Sequence, residues 1–318
     1  MIYQNTVAAP REELSDLITE GATNADQFVG LRILPPAPSK QLTLHVPKIT
    51  IAQGDLMRAT GKKRTPGANF DRRQGAIGDL TATLQQVGEE VLLPDEITLT
   101  YEDYFAVEAF YAKDASDRLL RSHEMDVAAT VFNTGNFTAK NSLTAYTQAN
   151  IATMSPVEDI LAAIRVVKGL GEAPNTLVIP GIVYDRIRVC TDMRNFVAGS
   201  VNPGARVTGN TIQMAFESHG IKNVLIPDAY VNQSELGANA NINSIWGTAY
   251  IGVLNCQPGQ LLAGGIGRTF YWEKEGPLFN IQSYRDEPKK SNVIRALKST
   301  LPSITNSRAG TLIGTQYA

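Results

Sequence analysis

Between Pro94 and Gly135 the chain runs from Asp95 to Thr134 without a proline or a glycine. Its 26 glycines and 16 prolines interrupt every other stretch of that length, so here alone nothing forbids one long helix. Thr100 followed by Asp103 fits a capping box, in which each side chain satisfies a backbone donor left open by the first turn. Gly135, just past Asn133, is the residue type that closes a helix in the left-handed conformation. Phe105, Ala109, Ala112, Leu119, His123, Val127 and Val131 recur near one face at the helical period. Glu102, Asp103, Glu108, Lys113, Asp114, Asp117, Arg118, Arg121, Glu124 and Asp126 take the rest of the surface. That pattern predicts a half-buried helix and excludes a membrane span. From Thr100 to Asn133 it would reach about 50 Å, against about 30 Å for a small domain, so such a rod joins distant parts of an extended protein. Two shorter helices, or a strand from Tyr101 to Tyr111 followed by a helix from Ser116, satisfy the same residues.

The whole chain, 318 residues with 43% hydrophobic and 19% charged, can bury one large core or two ordinary ones. A formal net charge of -2 argues against a dedicated nucleic-acid binder, whose phosphate contacts need a basic excess. Cys190 and Cys256 are too few for a disulfide framework and lack metal spacing, so they read as buried reduced thiols. No apolar run approaches the roughly 20 residues of a membrane span, and Met1 to Asn5 carry no basic-then-apolar signal. The expectation is folding in the compartment of synthesis, with no membrane partner.

Ahead of the long stretch, residues 1 to about 40 hold a modest helical pattern, Arg11 to Thr19, and then Leu34-Pro35-Pro36-Ala37-Pro38, which favours extended structure. This reads as an arm laid on something else, or as a docked or frayed terminus. Leu42, Leu44, Val46, Ile49 and Ile51 alternate as a strand that Pro47 demotes to an edge, and Thr81 to Leu93 alternates again. Between them, Gln53 to Leu80 carries five glycines, three aspartates and six basic residues, Arg58, Lys62, Lys63, Arg64, Arg72 and Arg73. Its large apolar residues are only Leu56, Met57, Phe70, Ile77 and Leu80. Ordering so long a loop costs about 1 to 2 kcal/mol per residue, more than those side chains offset, so an ordered loop needs a partner surface. A phosphate-binding loop fails, because six residues separate Gly54 from Gly61 and Lys63 stands where serine or threonine is required. A nucleic-acid patch has one aromatic, Phe70, to stack with. An intersubunit hairpin with charge-set register fits the flanking strands, and plain disorder is the remaining reading.

Past the helix, Phe137 to Met154 is polar and irregular. Ser155-Pro156-Val157-Glu158 fits a capping box, Val157, Ile160, Leu161, Ile164 and Val167 form an apolar stripe, and Gly169 and Gly171 end the helix beyond Lys168. Leu177-Val178-Ile179 predicts a strand buried on both faces, Pro180-Gly181 turns into a helix through Ile187, and Asn223 to Ile226 and Ile245 to Leu254 predict further strands. A compact α/β domain with a mixed sheet follows. Gly199 to Asn210 and Asn232 to Asn243 read as loops at a tip or contact surface, or as solvated connectors. Gly264-Gly265-Ile266-Gly267 is too short for a dinucleotide fingerprint and precedes an aromatic strand, Arg268 to Trp272. Leu278 to Tyr284 and Asn292 to Leu297 predict returning strands, and the tail beyond Pro302 is polar.

No catalytic constellation emerges. His45, His123 and His219 are scattered, with His123 on the inner face of the long helix as a structural histidine, and the pairs Glu89-Glu90 and Asp95-Glu96 read as a charged strand end. Neither G-x-S-x-G nor H-E-x-x-H occurs. No cofactor or metal is expected.

In the order arm, glycine-rich loop, long helix, α/β domain and returning strands, the chain resembles the major capsid proteins of tailed bacteriophages, the Hong Kong 97-like fold. The phrases that carry the resemblance are Tyr101-Glu102-Asp103-Tyr104-Phe105, Leu119-Leu120-Arg121-Ser122-His123-Glu124, Val127 to Asn133, Ser155-Pro156 with Asp159-Ile160, Pro174-Asn175-Thr176-Leu177-Val178-Ile179, and Ser283-Tyr284-Arg285-Asp286-Glu287. The resemblance implies an α+β fold with residues 1–40 as an N-terminal arm and 41–99 as an extended loop, the E-loop. Residues 100–154 would form a peripheral domain with a spine helix, 155–265 an axial domain, and 266–318 return strands to the peripheral domain with a C-terminal tail. Arg58, Lys62, Lys63, Arg64, Phe70, Arg72 and Arg73 would make intersubunit contacts, and Asn202, Gly204, Arg206 and Asn210 would lie in axial-tip loops. The implied partners are copies of the chain in pentamers and hexamers, scaffolding, portal and cement or decoration proteins, and non-specific contact with packaged double-stranded DNA. The implied location is the virion capsid, assembled in a host bacterial cytoplasm. The arm lacks a long charged helical segment of the sort that serves as a fused scaffold. An encapsulin-like compartment around a cargo enzyme shares the fold and is told apart by content. A soluble α/β enzyme with a mobile lid is the third reading.

Overall fold

A computed structural model describes residues 9–10, 27–49, 66, 69, 77–101, 107–200, 206–235, 237–258 and 264–317. The leading part contributes β1 (Ala9–Pro10), a single helical turn α1 (Gly30–Ile33) and β2 (Pro36–Ser39). β3 (Thr43–Ile49) pairs with β4 (Ile77–Thr83), and β5 (Gln85–Pro94) runs into α2 (Asp95–Tyr101), ahead of α3 (Val107–Val131). Next come β6 (Thr138–Asn141), α4 (Pro156–Gly169), β7 (Thr176–Val178), α5 (Gly181–Ile187), α6 (Thr191–Ser200), α7 (Gly209–Phe216) and β8 (Asn223–Leu225). A hairpin of β9 (Tyr230–Asn232) and β10 (Ile242–Ser244) precedes β11 (Tyr250–Leu254). The chain then returns through β12 (Gly267–Trp272), β13 (Asn280–Asp286), β14 (Ser291–Ile304) and β15 (Gly310–Gly314).

Fourteen-residue β14 organises the larger sheet. It pairs antiparallel with β13 over Ser291 to Leu297, with β12 over Thr300 to Ile304, and with β5 over Ser291 to Thr300. Gly267 lies where β12 meets β14 so closely that a Cβ there would run into the Ser303 carbonyl. β2 joins β12 in parallel at the rim, where Pro36 and Pro38, lacking an N–H, can sit. Ala112, Ala115 and Leu119 of α3 pack on Ile281, Ile294 and Ala296 of this sheet. Val46 and Leu84, at the foot of the β3–β4 pair, pack on Phe270.

The second sheet has the order β6-β15-β11-β7-β8. β7 lies between β11 and β8 with Leu177 and Val178 fully buried, as its continuous apolar run predicts. The α4 stripe Val157, Ile160, Ile164 and Val167 packs with Ile251, Val253 and Ile313 of this sheet and with α6 and α7 residues such as Met193 and Phe216. A further cluster, holding Val127 and Val131 of α3 with Ile33, Leu34, Trp246, Leu254 and Leu312, joins the two halves. Gly171, at φ 84°, ends the α4 segment as its position predicts.

Several local expectations are corrected. Thr100 lies inside α2, its hydroxyl donating to the Glu96 carbonyl, so it caps nothing; Asp103 and Phe105 lie outside the described residues. The helical register places Ala109 outward and Glu124 inward, the reverse of the expected faces. Gly135 is not left-handed; the turn past α3 is held by the Asn133 side chain, which accepts from the Gly135 N–H at 2.8 Å. Ser155 makes no side-chain cap, and Asp192 of α6 accepts from the Val157 N–H at 3.1 Å in its place. The excursion Gly199 to Asn210 ends inside α7, where Thr208 and Thr211 form a reciprocal cap. Within Asn232 to Asn243, the ends are strand residues of β9 and β10. Residues 28–39 are docked on this chain's own core, since Phe28, Val29, Ile33 and Leu34 are buried. The tail past Pro302 enters the second sheet, where every residue of β15 is buried between β6 and β11. Leu312→Ala therefore removes packing from a central strand and is expected to cost about 2 to 5 kcal/mol. Urea denaturation measures it, and a loss below 1 kcal/mol would show that β15 is dispensable.

Candidate functional site

Along the inner face of α3 the apolar residues Ala112, Ala115 and Leu119 give way after Leu120 to His123, Glu124 and, at the flank, Asp126. The strand facing them changes in step, from Ile294 and Ala296 to Lys298. Lys298 is buried to 1% side-chain exposure and reaches Asp126 Oδ2 at 2.7 Å, while Asp126 stays half exposed. Burial pulls the Lys298 ammonium below its ordinary range, against the opposing hold of Asp126. His123 is buried and, among the described residues, has no hydrogen-bond partner on either ring nitrogen; it lies edge-on to Phe279 at 5.7 Å. Burial, with Lys298 nearby, brings its imidazole down to about 3, so it is neutral at pH 7.

Glu124 is 1% exposed. Oε1 accepts from the Val29 N–H at 3.1 Å and the Trp246 indole N–H at 2.7 Å, and Oε2 accepts from the Gly30 N–H at 2.9 Å. A Cβ on Gly30 would sit 2.7 Å from Oε2, so only glycine admits the carboxylate. Periodicity contained a signal for this residue, because position 124 shares a face with Leu120, Val127 and Val131. Its charge hid it.

The outer surface has its own pattern. From Asp79 to Glu108 the chain holds eight carboxylates and no lysine or arginine. Three of them meet arginines from elsewhere: Glu89 pairs with Arg118 at 2.6 Å, Glu90 with Arg295 at 2.5 Å, and Asp95 with Arg285 in a two-pronged contact at 2.5 and 2.6 Å. The Arg285 guanidinium holds the Asp95 carboxyl below its usual range. In the same region α2 has no buried residue, Leu99 is 78% exposed and Phe110 60%. An apolar groove of about 330 Å³ runs between α3 and the β9–β10 hairpin, lined by Met125, Phe132, Val231, Ile245, Trp246 and Tyr250 among others.

Of the residues expected at contact surfaces, Arg58, Lys62, Lys63, Arg64, Phe70, Arg72, Arg73, Asn202 and Gly204 lie outside the described residues. Arg206 is exposed just ahead of α7, its carbonyl accepting from the Thr211 hydroxyl at 2.9 Å, and Asn210 is exposed in the first turn of α7. His45 is exposed on β3 beside Thr81, and the His219 carbonyl accepts from Lys168. Cys190 and Cys256 are buried free thiols, Cys256 pushed up to about 12 by burial. Among the described residues no group of three or more His, Cys, Asp or Glu could hold a metal ion, and no helix is long and apolar enough to cross a membrane.

No protein-family model matches the sequence, and no curated protein is similar to it in sequence. Solved structures are. A phage-related protein from Bordetella bronchiseptica, 16% identical, is similar over 98% of each chain with a TM-score of 0.71. The virus-like particle from Pyrococcus furiosus, 10% identical, is similar over 95% of this chain and 98% of its own, with a TM-score of 0.59. The capsid of the cyanophage P-SCSP1u, also 10% identical, is similar over 100% and 91% respectively, with a TM-score of 0.57. The chain therefore has the α+β, Hong Kong 97-like fold of phage capsid proteins, as the order of its segments led one to expect.

A histidine kept neutral in the fold makes stability depend on pH. Because its folded value lies below the unfolded one of 6.5, its stabilising share is complete above that value and is lost as pH falls toward 3. Wild type is expected to lose up to about 1.4 kcal/mol per pH unit more than His123→Leu over that window. Urea unfolding at pH 7, 5 and 4 checks this, and parallel losses in the two proteins would contradict it.

Proposed function

We propose that this chain is the major capsid protein of a tailed bacteriophage, whose copies form pentamers and hexamers and close into an icosahedral shell around double-stranded DNA. The observation that carries the reading is similarity of fold along essentially the whole chain to a phage-related protein and to a phage capsid. Its role is structural rather than catalytic. Residues 1–40 serve as the arm, 41–99 as the extended loop, 100–154 as the peripheral domain with its spine, 155–265 as the axial domain and 266–318 as the return. Scaffolding, portal and cement or decoration proteins are its expected partners, and the virion, assembled in the host bacterial cytoplasm, its location.

Charge supports a division of labour between copies. Six basic residues lie between Arg58 and Arg73, and the carboxylate-only stretch from Asp79 follows directly. The β3–β4 ladder that frames the basic segment is a two-stranded sheet of its own, packed at its foot on Phe270 of β12 through Val46 and Leu84. The basic segment of one copy, through Arg58, Lys62, Lys63, Arg64, Phe70, Arg72 and Arg73, meets the acidic surface of the next, and opposite charge sets the register. Asn202, Gly204, Arg206 and Asn210 face the symmetry axes at the axial tip. Heterologous contacts of this kind, repeated around closed symmetry, make rings and shells.

Electron microscopy of the expressed protein, with a co-expressed scaffold where needed, is expected to show closed particles or capsomers; a compact monomer under every condition would refute the reading. Nuclease-resistant DNA inside the particles identifies the virus, whereas a folded cargo protein would identify the encapsulin-like alternative. Arg72→Glu with Arg73→Glu is expected to abolish particles while circular dichroism of the monomer is unchanged, and Glu96→Lys with Glu108→Lys to restore some assembly in that background. Normal shells from the first pair would remove the loop from its assigned role.

A further inference from the structure

The wall of the apolar groove rests on the leading part of the chain. Ile245 and Trp246 both line the groove. Trp246 also shares a buried cluster with Val29, Ile33 and Leu34, while Ile245 packs against that cluster and against the one that holds Phe28. Within the groove lining, Phe132 of α3 meets the Trp246 ring edge-on at 5.0 Å and Tyr250 at 6.2 Å. We propose that residues 28–34 and the turn from Ile245 to Ala249 open and close as one cooperative unit, so that the groove keeps its shape only while the leading segment is docked.

Neither part keeps its partners when the other leaves. Glu124 Oε1 accepts from both the Val29 N–H and the Trp246 indole N–H, and Oε2 accepts from the Gly30 N–H. If residues 28–34 lift away, this buried carboxylate loses two of its three donors, and Trp246 loses the side chains of Val29, Ile33 and Leu34. If the indole leaves, Oε1 is left with the Val29 N–H, and the same apolar residues face the space it filled. A buried group stripped of its partners costs more than the bond contributed, so joint opening is favoured over opening of one part alone.

Local backbone bonds do not separate the two. The helical turn α1 is four residues long and has no side-chain cap of its own. The Ile245 N–H donates to the Ala229 carbonyl at 2.9 Å, and Ala229 lies in the cluster with Phe28, so this bond ties the turn back to the leading segment's own surroundings.

Hydrogen exchange of the full-length protein, followed by mass spectrometry, reads the unit through two peptides, residues 27–34 and 244–250. In wild type the slowest amides of the two peptides are expected to share one opening constant. Gly30→Ala places a Cβ 2.7 Å from Glu124 Oε2 and so displaces the carboxylate. Trp246→Phe keeps a ring in the cluster but removes the indole donor. Each variant is expected to raise the opening constant of both peptides by a similar factor, about tenfold, although the two sites are far apart in sequence. Ile187→Ala, in the separate cluster under α4, is expected to lower overall stability and leave both peptides unchanged. Unequal wild-type constants, a rise confined to the peptide that carries the substitution, no rise at all, or a rise of both peptides in Ile187→Ala would each overturn the proposal. Trp246→Phe decides the matter even if Gly30→Ala does not fold.

Discussion

Burial of one face of α3 against β14 sets where the rest of the molecule can lie. The helix, 25 residues long, spans about 38 Å, and the strand, 14 residues long, about 47 Å. Because the strand is so long, β13, β12 and β5 can all register on it, and β2 then joins through β12. The far end of the helix overshoots this sheet and enters the second cluster, so Val127 and Val131 pack with Leu254 and Leu312 of the smaller sheet. One helix thereby belongs to two cores and packs on both sheets.

The change from apolar to charged contacts along that face separates two kinds of work. Near Ala115 and Leu119 the packing supplies burial at about 25 cal/mol per Å². Around His123, Glu124 and Lys298 the gain is smaller, since a buried charge pays for its desolvation before any hydrogen bond returns something. What these groups contribute is position. Asp126 and Lys298 set the register of helix on strand, and Glu124 admits one arrangement of α1 and one of Trp246.

Between Arg58 and Glu108 the chain keeps its charges largely sorted by sign, although over the whole sequence they nearly cancel. The net charge of -2 conceals a basic segment and an acidic one side by side in sequence. In the proposed shell, near-neutrality would limit repulsion among many like copies, and opposite charge on the two segments would give neighbouring copies a register. Exposed Leu99 and Phe110 add apolar surface within the acidic region.

Elements whose signal is local were legible in the residues: the α4 stripe, the doubly buried β7 and the long helix, described from Val107 to Val131. Helix caps were not, because Thr100 and Ser155 have the right chemistry but their partners come from backbone geometry and from Asp192, which is distant in sequence. The polar tail hid β15, whose burial comes from β6 and β11 on either side and not from its own composition. Spacing and composition by themselves determined the α/β middle of the chain with its mixed sheet, because hydrophobic period and the placement of glycine and proline act within a few residues. Only the tertiary structure decided that Glu124 and Lys298 lie inside, since a charge is buried or exposed according to which distant donors and carboxylates the completed fold brings to it.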